Sequence, residues 1–160
     1  MDRLFIIFAF ASMWAAGSPL TRAEEALAVV VNKANGVENL TLPELRKLCL
    51  GESNRWDGGK RVTVVLRDPG QEERAAVLRQ VYGMSEDELA RHFPQGESSK
   101  RMQFAPKKLS TAGGVQRFIF NVPGAIGFVR VSEVASSVKT VRVNGCSPGD
   151  ADYPLKLAAR

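Results

Sequence analysis

The sequence predicts an α/β fold: a single three-layer domain with a mostly parallel sheet flanked by helices. Predicted strands alternate with segments of helical period and lie at 27–31, 62–66, 125–130 and 138–143, and the first of them is a short, continuous apolar run rich in valine. Continuous apolar runs of this length are typical of strands covered on both faces, and strands that alternate with helices favour a parallel sheet. The chain has 160 residues and 44% hydrophobic content, which is enough for one core.

The first helix is predicted over residues 42–50 because both of its ends carry recognisable signals. Thr41 and Glu44 have the spacing of a capping box at the start, and Gly51 is typical of a helix end. The apolar positions recur with helical period and form one face for the core, which consists of Leu42, Leu45, Leu48 and Cys49.

Three more helices are predicted from the apolar period, over about 71–82, 85–93 and 110–121. Ser85 and Glu88 form a second capping box at the start of the middle one. The stretch from Pro94 to Lys108 is polar and basic and has no clear period, so we predict a loop there.

The first 23 residues have the composition of a secretory signal peptide. The run over 4–16 is apolar except for one serine and is too short to span a bilayer comfortably. Thr21 and Ala23 place small residues at the −3 and −1 positions of a cleavage site. We therefore predict cleavage after Ala23 and a mature domain over 24–160 that is periplasmic or secreted. An uncleaved anchor or a buried helix is the alternative.

The charge pattern argues against a nucleic-acid partner. The chain has 22 lysines and arginines against 17 aspartates and glutamates, a net charge of +5. A mildly basic exported domain favours anions or an acidic surface. The basic residues form dispersed doublets rather than a block, which is typical of a solvated surface, and no DNA- or RNA-binding motif accompanies them.

The sequence has no pattern typical of an enzyme or a metal site. His92 is its one histidine, and it contains no Gly-x-Ser-x-Gly elbow, Cys-x-x-Cys or phosphate-binding glycine loop with Lys-Ser/Thr. Metal sites need clustered histidines, cysteines or carboxylates, which the sequence does not show. We therefore predict no catalytic residues, no metal and no cofactor. A secreted enzyme of an unrecognised type is the second alternative.

Cys49 and Cys146 leave two interpretations open. In an oxidising compartment they would pair, and a disulfide closing so long a loop adds roughly 4–5 kcal/mol on the chain-entropy model. A buried thiol at an apolar helix position is also an ordinary core filler. The separation of the two residues decides between these interpretations.

Several motifs, taken in order, resemble the second lobe of the periplasmic phosphate-binding proteins that serve ABC transporters. They are a helix, a Trp-bearing loop, a strand, a Pro-Gly stop before another strand, and a closing segment. In this chain they read LPELRKLCLG at 42–51, WDGG at 56–59, VTVVLRD at 62–68, VPGAIGFV at 122–129, VNGCSP at 143–148 and YPL at 153–155.

The resemblance covers residues 27–157 and begins at the strand that enters the second lobe. It implies one lobe of a periplasmic-binding-protein fold, a non-catalytic solute-binding role, and a membrane transporter or a sensor protein as partner. It also places a ligand site at the turn after the second strand. In the family this turn resembles Arg-Ser-Asp-Gly-Ser-Gly-Thr, and its hydroxyl and backbone groups hold the anion.

Here the corresponding turn reads RDPGQEE over 67–73. A helix N-terminus offers free N–H groups to an oxyanion, and Arg67 adds a charge-assisted contact. The implied ligand-binding residues are Arg67, Gly70 and Gln71. Because Glu72 and Glu73 replace small residues of the family pattern, we expect phosphate or another small anion to bind only weakly.

Two functions of different classes remain. The first is an exported solute-binding-type protein allied to phosphate uptake, with weak oxyanion binding. The alternative is a single-lobe protein–protein interaction or sensory module that has kept the fold and lost the ligand. A fully buried Arg67 that is salt-bridged away from the cleft would count against the first function, and titration with anions would separate the two.

Overall fold

The computed structural model describes residues 25–94 and 104–158 of the chain. The predicted signal peptide, its cleavage site and most of the loop predicted over 94–108 lie outside these residues. None of the helices in the described part combines the length and the apolar composition of a membrane span.

Strands and helices alternate along the chain, as the sequence predicts. The strands are β1 (Leu27–Asn32), β2 (Asn39–Leu40), β3 (Thr63–Arg67), β4 (Lys107–Leu109), β5 (Ala125–Arg130) and β6 (Val138–Val143). The α-helices are α1 (Leu42–Cys49), α2 (Glu72–Val77), α3 (Glu86–His92) and α4 (Ala112–Asn121). A π-helical segment, Leu78–Tyr82, continues α2, and a 3-10 turn, Val131–Glu133, follows β5.

The strands form one six-stranded sheet in the order β2-β6-β1-β5-β3-β4. β1 pairs antiparallel with both β5 and β6, whereas the β2–β6, β3–β5 and β3–β4 pairs are parallel. Five strands therefore run in one direction and β1 alone is reversed. The predicted mostly parallel sheet is confirmed, with a central antiparallel strand that was not predicted.

The two edge strands were not predicted either. β2 has two residues, and β4 has three that include two lysines, so neither forms an apolar run. Short and charged edge strands protect a sheet from pairing with other chains, which is why such strands lack the usual sequence signal. The prediction of a loop over 94–108 was therefore wrong at its C-terminal end.

Hydrophobic clusters cover both faces of the sheet. Residues of β1 alternate between them, with Leu27 and Val29 in the larger cluster and Ala28 and Val30 in the smaller one. Side chains of α1, α2 and α3 pack into the larger cluster, and those of α4 pack into the smaller one. This arrangement gives the three layers that the sequence predicts.

The capping signals of α1 act as predicted. The Glu44 N–H donates to the Thr41 hydroxyl at 3.3 Å, and the Thr41 N–H donates to the Glu44 carboxylate at 2.7 Å. Leu45, Leu48 and Cys49 are buried, whereas Leu42 is only half-buried at the margin of the core. The buried face of α1 is therefore the predicted one, except that Leu42, the first residue of the helix, lies at the margin of the core.

The small residues at the start of β5 allow close approach between elements. A Cβ on Gly124 would lie 2.0 Å from the Arg61 carbonyl oxygen, and one on Gly127 would lie 2.9 Å from side-chain carbons of Ile119 and Val115. The Gly124 carbonyl also accepts from the Trp56 indole at 3.0 Å. The Pro-Gly motif thus joins β5 to the loop over 52–62, which we call the Trp56 loop.

The two cysteines are free thiols in the structure, so no disulfide joins them. Cys49 is on the buried face of α1, and this burial raises the pKa of its thiol to about 12, with the nearby Tyr82 hydroxyl acting in the opposite direction. Cys146 is half-buried, and its sulfur lies 3.8 Å from the Asn144 carbonyl oxygen. A buried thiol with a raised pKa is poorly reactive, so Cys49 fills the core.

Replacement of Leu45 by alanine tests the assigned face of α1. Leu45 is fully buried, and truncation of a buried leucine costs about 2–5 kcal/mol because it leaves a cavity. We expect Leu45→Ala to lower the free energy of unfolding by an amount in this range in urea titrations. Lys47→Ala, an exposed position of the same helix, should have little effect; equal effects of the two substitutions would contradict the assignment.

Candidate anion site

The turn that is predicted to bind the ligand lies at the end of the sheet where the parallel strands finish. We call this end the carboxyl edge. β3 ends at Arg67 and its parallel neighbour β5 ends at Arg130, so the two arginines lie side by side. Gly70 adopts a φ of +91°, a left-handed conformation that favours glycine, and allows the chain to turn into α2. Carboxyl edges of this kind are common ligand sites in α/β folds.

Arg67 is held by groups of the protein itself. Its Nη1 lies 3.3 Å from Glu73 Oε1. Its Nη2 donates to Gln71 Oε1 at 3.2 Å and to the Ser110 carbonyl at 2.9 Å. The side chain is 11% exposed, and its Nε lacks a hydrogen-bond partner among the described residues. The structure therefore brings Arg67 and Gln71 together, with Gly70 supplying the turn between them.

Arg130 is a component of the site that the sequence analysis missed. Its Nε donates to Glu73 Oε1 at 2.8 Å, its Nη1 to Glu25 at 2.7 Å and its Nη2 to Glu72 at 2.7 Å. The signal was present in the sequence, because Arg130 ends a predicted strand just as Arg67 does. We refer to Arg67, Gly70, Gln71, Glu73 and Arg130 as the candidate anion site.

Glu73 is the buried centre of this site. It is 5% exposed, and one of its oxygens contacts both Arg67 and Arg130. Burial acts to raise the pKa of this carboxyl, but hydrogen bonds from Arg130 and from its own backbone N–H, with the charges of Arg130 and Arg67, hold the pKa below its ordinary value. The carboxylate thus receives the arginine and helix N-terminal contacts that an oxyanion would receive.

Arg74 holds the backbone at the end of β3, where the turn begins. It is 3% exposed, and its guanidinium binds both carboxylate oxygens of Glu86, at 2.5 and 2.8 Å. Its Nη1 also donates to the carbonyl oxygen of Arg67 at 3.1 Å. The hydrogen bond from Arg74 holds the pKa of Glu86 below its ordinary value. This bidentate pair connects the start of α3 to the end of β3.

The cluster around the site has no excess of positive charge. Three arginines, Arg67, Arg74 and Arg130, pair with four glutamates, Glu25, Glu72, Glu73 and Glu86. The group therefore carries one net negative charge when all its members are ionised. A phosphate dianion approaching this edge would meet guanidinium groups that carboxylates already neutralise.

The described residues do not point to metal or histidine chemistry. Over 25–94 and 104–158, no three histidine, cysteine or carboxylate side chains are grouped so that they could hold a metal ion. His92, at the end of α3, has its Nε2 3.1 Å from the Leu50 carbonyl oxygen and its ring edge-on to Phe93. The contact with Leu50 connects the end of α3 to the end of α1.

Solved phosphate-binding proteins share this fold. An ABC-type phosphate transport receptor from Vibrio cholerae matches 78% of the chain at 21% identity, with a TM-score of 0.63. A putative phosphate ABC transporter substrate-binding protein with bound phosphate from Clostridium perfringens matches 78% at 24% identity and the same TM-score. PstS from Borrelia burgdorferi matches 83% at 18% identity, again with a TM-score of 0.63.

The match extends over only part of those proteins. It covers 48%, 47% and 55% of their chains, so this chain spans about half of their length. No protein-family model matches the chain. The fold is that of one lobe of a periplasmic phosphate-binding protein, which confirms the resemblance inferred from the motifs at the level of the fold.

The buried Glu73 predicts a specific dependence of stability on pH. Because its pKa is lowered in the folded state, its ionised form stabilises the protein above the ordinary glutamate pKa of about 4.3. This contribution is lost as the pH falls through the lowered pKa. We expect Glu73→Gln to reduce the free energy of unfolding strongly at pH 7 and much less near pH 3.

Glu52 provides the matched control, because it is exposed in the loop after α1. Glu52→Gln should change the free energy of unfolding little at either pH. Urea titrations of the three proteins at both pH values provide the measurement. A Glu73→Gln effect that is equal at pH 7 and pH 3 would show that the charge of Glu73 is not stabilising.

Proposed function

We propose that this chain is an exported, non-catalytic solute-binding-type protein whose described domain corresponds to one lobe of a phosphate-binding protein. It binds oxyanions weakly at Arg67, Gly70 and Gln71. One observation carries the proposal: the arginines that end β3 and β5 converge at the start of α2, where the Glu73 carboxylate already lies between them. The similar structures, one of which is described with bound phosphate, support an anion as the class of ligand.

Glu73 is the reason for the weak binding in this proposal. A like-charge contact at about 4 Å costs on the order of 4 kcal/mol at an effective dielectric of 20, which is nearly a thousandfold in affinity. To reach the arginines, phosphate must either approach Glu73 or displace it. Displacement would leave a buried carboxylate without its partners, which is strongly unfavourable.

Calorimetric titration with phosphate tests this proposal. We expect a dissociation constant no tighter than about 1 mM, equivalent to roughly −4 kcal/mol. Replacement of the two glutamates, Glu72→Gly with Glu73→Thr, should strengthen binding because it removes both carboxylates and frees the arginines. Arg67→Ala, introduced into that variant, should abolish binding. A micromolar constant for the unmodified protein would contradict the proposal.

Glu52→Thr is the control for a nonspecific effect of removing negative charge. This substitution removes an exposed carboxylate outside the candidate anion site, so it should leave phosphate binding unchanged. If it strengthens binding as much as the double substitution does, the gain comes from net charge and not from the site.

The second candidate is a protein–protein interaction or sensory module, and one observation favours it. Arg67 and Arg130 are both salt-bridged within the protein, as expected when an ancestral anion site has become a structural one. A failure of phosphate to bind even after Glu72→Gly with Glu73→Thr would favour this candidate. In either case the partner we propose is a membrane transporter or a sensor protein.

Export is a separate part of the proposal and has its own test. We expect the mature protein to begin at about Glu24, because the apolar run is short and small residues precede that position. Intact-mass measurement of periplasmic material should show the loss of residues 1–23. Ala23→Arg should block cleavage because it removes the small residue at the −1 position. A full-length mass in the membrane fraction of the unmodified protein would contradict the prediction.

A further inference from the structure

The Trp56 loop contains a short hairpin, over residues 54–62, that places two arginines opposite each other. Arg55 and Arg61 form an isolated antiparallel bridge. Two backbone hydrogen bonds of 2.9 Å flank this bridge, one between residues 56 and 60 and one between residues 54 and 62. The arginines are therefore a non-hydrogen-bonded pair, the type in which opposite side chains share a face and lie closest together.

Both arginines are exposed, yet contacts with the protein hold their guanidinium groups. Arg55 Nη1 donates to the Gly59 carbonyl at 2.9 Å. The guanidinium group of Arg61 lies over the ring of Phe104, 5.1 Å from the ring centroid. Side chains that are already oriented in this way lose less conformational entropy when they bind a partner.

The hairpin has an excess of positive charge at its surface. It contains three exposed cations, Arg55, Lys60 and Arg61, and one carboxylate, Asp57, which gives a net charge of +2. Like charges that lie directly opposite each other on two strands repel. A partner with negative charge would offset this repulsion, and the net charge of the hairpin would favour its approach.

The size of this surface decides between the classes of anionic partner. A planar guanidinium group binds a carboxylate or a phosphate through two parallel hydrogen bonds. Nucleic acids and anionic membranes are bound by broader basic surfaces that contact many phosphates. The hairpin offers three cations, and Asp57 interrupts them along the chain. It therefore suits the few carboxylates of a short acidic protein segment.

We propose that this hairpin docks an acidic segment of a partner protein, with one carboxylate on Arg55 and a second on Arg61. The segment carries aspartate or glutamate side chains in an exposed run. The hairpin contains none of the residues of the candidate anion site, so this interaction does not depend on oxyanion binding at the carboxyl edge.

Nuclear magnetic resonance of the ¹⁵N-labelled full chain tests the proposal, with the peptide hexaglutamate as the probe. We expect saturable shifts of the Arg55 and Arg61 Nε–H signals, with a dissociation constant of about 1 mM or tighter that weakens as salt is added. Hexaglutamine, the uncharged probe, should cause no shift. The absence of a saturable shift with hexaglutamate would overturn the proposal, and so would shifts confined to residues outside the hairpin.

Arg55→Gln with Arg61→Gln removes both charges and keeps long polar side chains. We expect this double variant to weaken hexaglutamate binding about tenfold and to leave the phosphate titration unchanged. Arg117→Gln with Arg142→Gln removes the same charge from exposed positions of α4 and β6 and should leave peptide binding nearly unchanged. Equal binding by the two double variants would show that net charge attracts the peptide, and would refute the role of the hairpin.

Asp57→Asn keeps the test valid if the arginine double variant does not fold. It removes the one carboxylate of the hairpin at an exposed position, so it should strengthen hexaglutamate binding about twofold. Binding no tighter than that of the unmodified protein would contradict the proposal.

Two further probes separate the classes of partner. Vesicles of phosphatidylglycerol and a DNA duplex should each shift the hairpin signals less than hexaglutamate does at the same concentration of negative charge. A larger shift with the vesicles would identify a membrane surface as the partner, and a larger shift with the duplex would identify a nucleic acid. Either result would overturn the proposal of a protein segment.

Discussion

The Glu73 carboxylate is the interaction on which the rest of the carboxyl edge depends. One of its oxygens contacts Arg67 at the end of β3 and Arg130 at the end of β5. Arg130 extends the network to Glu25, just before β1, and to Glu72 at the start of α2. Three strands and a helix are therefore joined through a few charged groups, and loss of Glu73 would leave two adjacent guanidinium groups without their shared partner.

The same geometry underlies the comparison with the similar structure that is described with bound phosphate. Strand ends that bring guanidinium groups to a helix N-terminus form a general anion site. In this chain the Glu73 carboxylate lies between the two arginines, which stabilises the fold and, under the proposed function, weakens the binding of an oxyanion.

Much of this architecture could be predicted from the sequence, since valine-rich runs and capping boxes encode buried strands and helix starts locally. The reversal of β1 could not, because an apolar run covered on both faces carries no information about strand direction. Arg130 was missed because an arginine after a strand is usually a surface residue. The replacement of a small residue of the family pattern by Glu73 is visible in the sequence, but the burial of Glu73 between two arginines depends on how β3 and β5 pair.

The carboxyl ¹³C resonance of Glu73, followed by nuclear magnetic resonance as a function of pH, tests the central claim most directly. If this carboxylate lies between Arg67 and Arg130, its titration midpoint lies below the ordinary glutamate pKa of about 4.3 despite its burial. The same midpoint should move upward in Arg130→Met, which removes the strongest donor. A midpoint at or above the ordinary value in the unmodified protein would show that the two arginines do not hold Glu73, and would contradict the account.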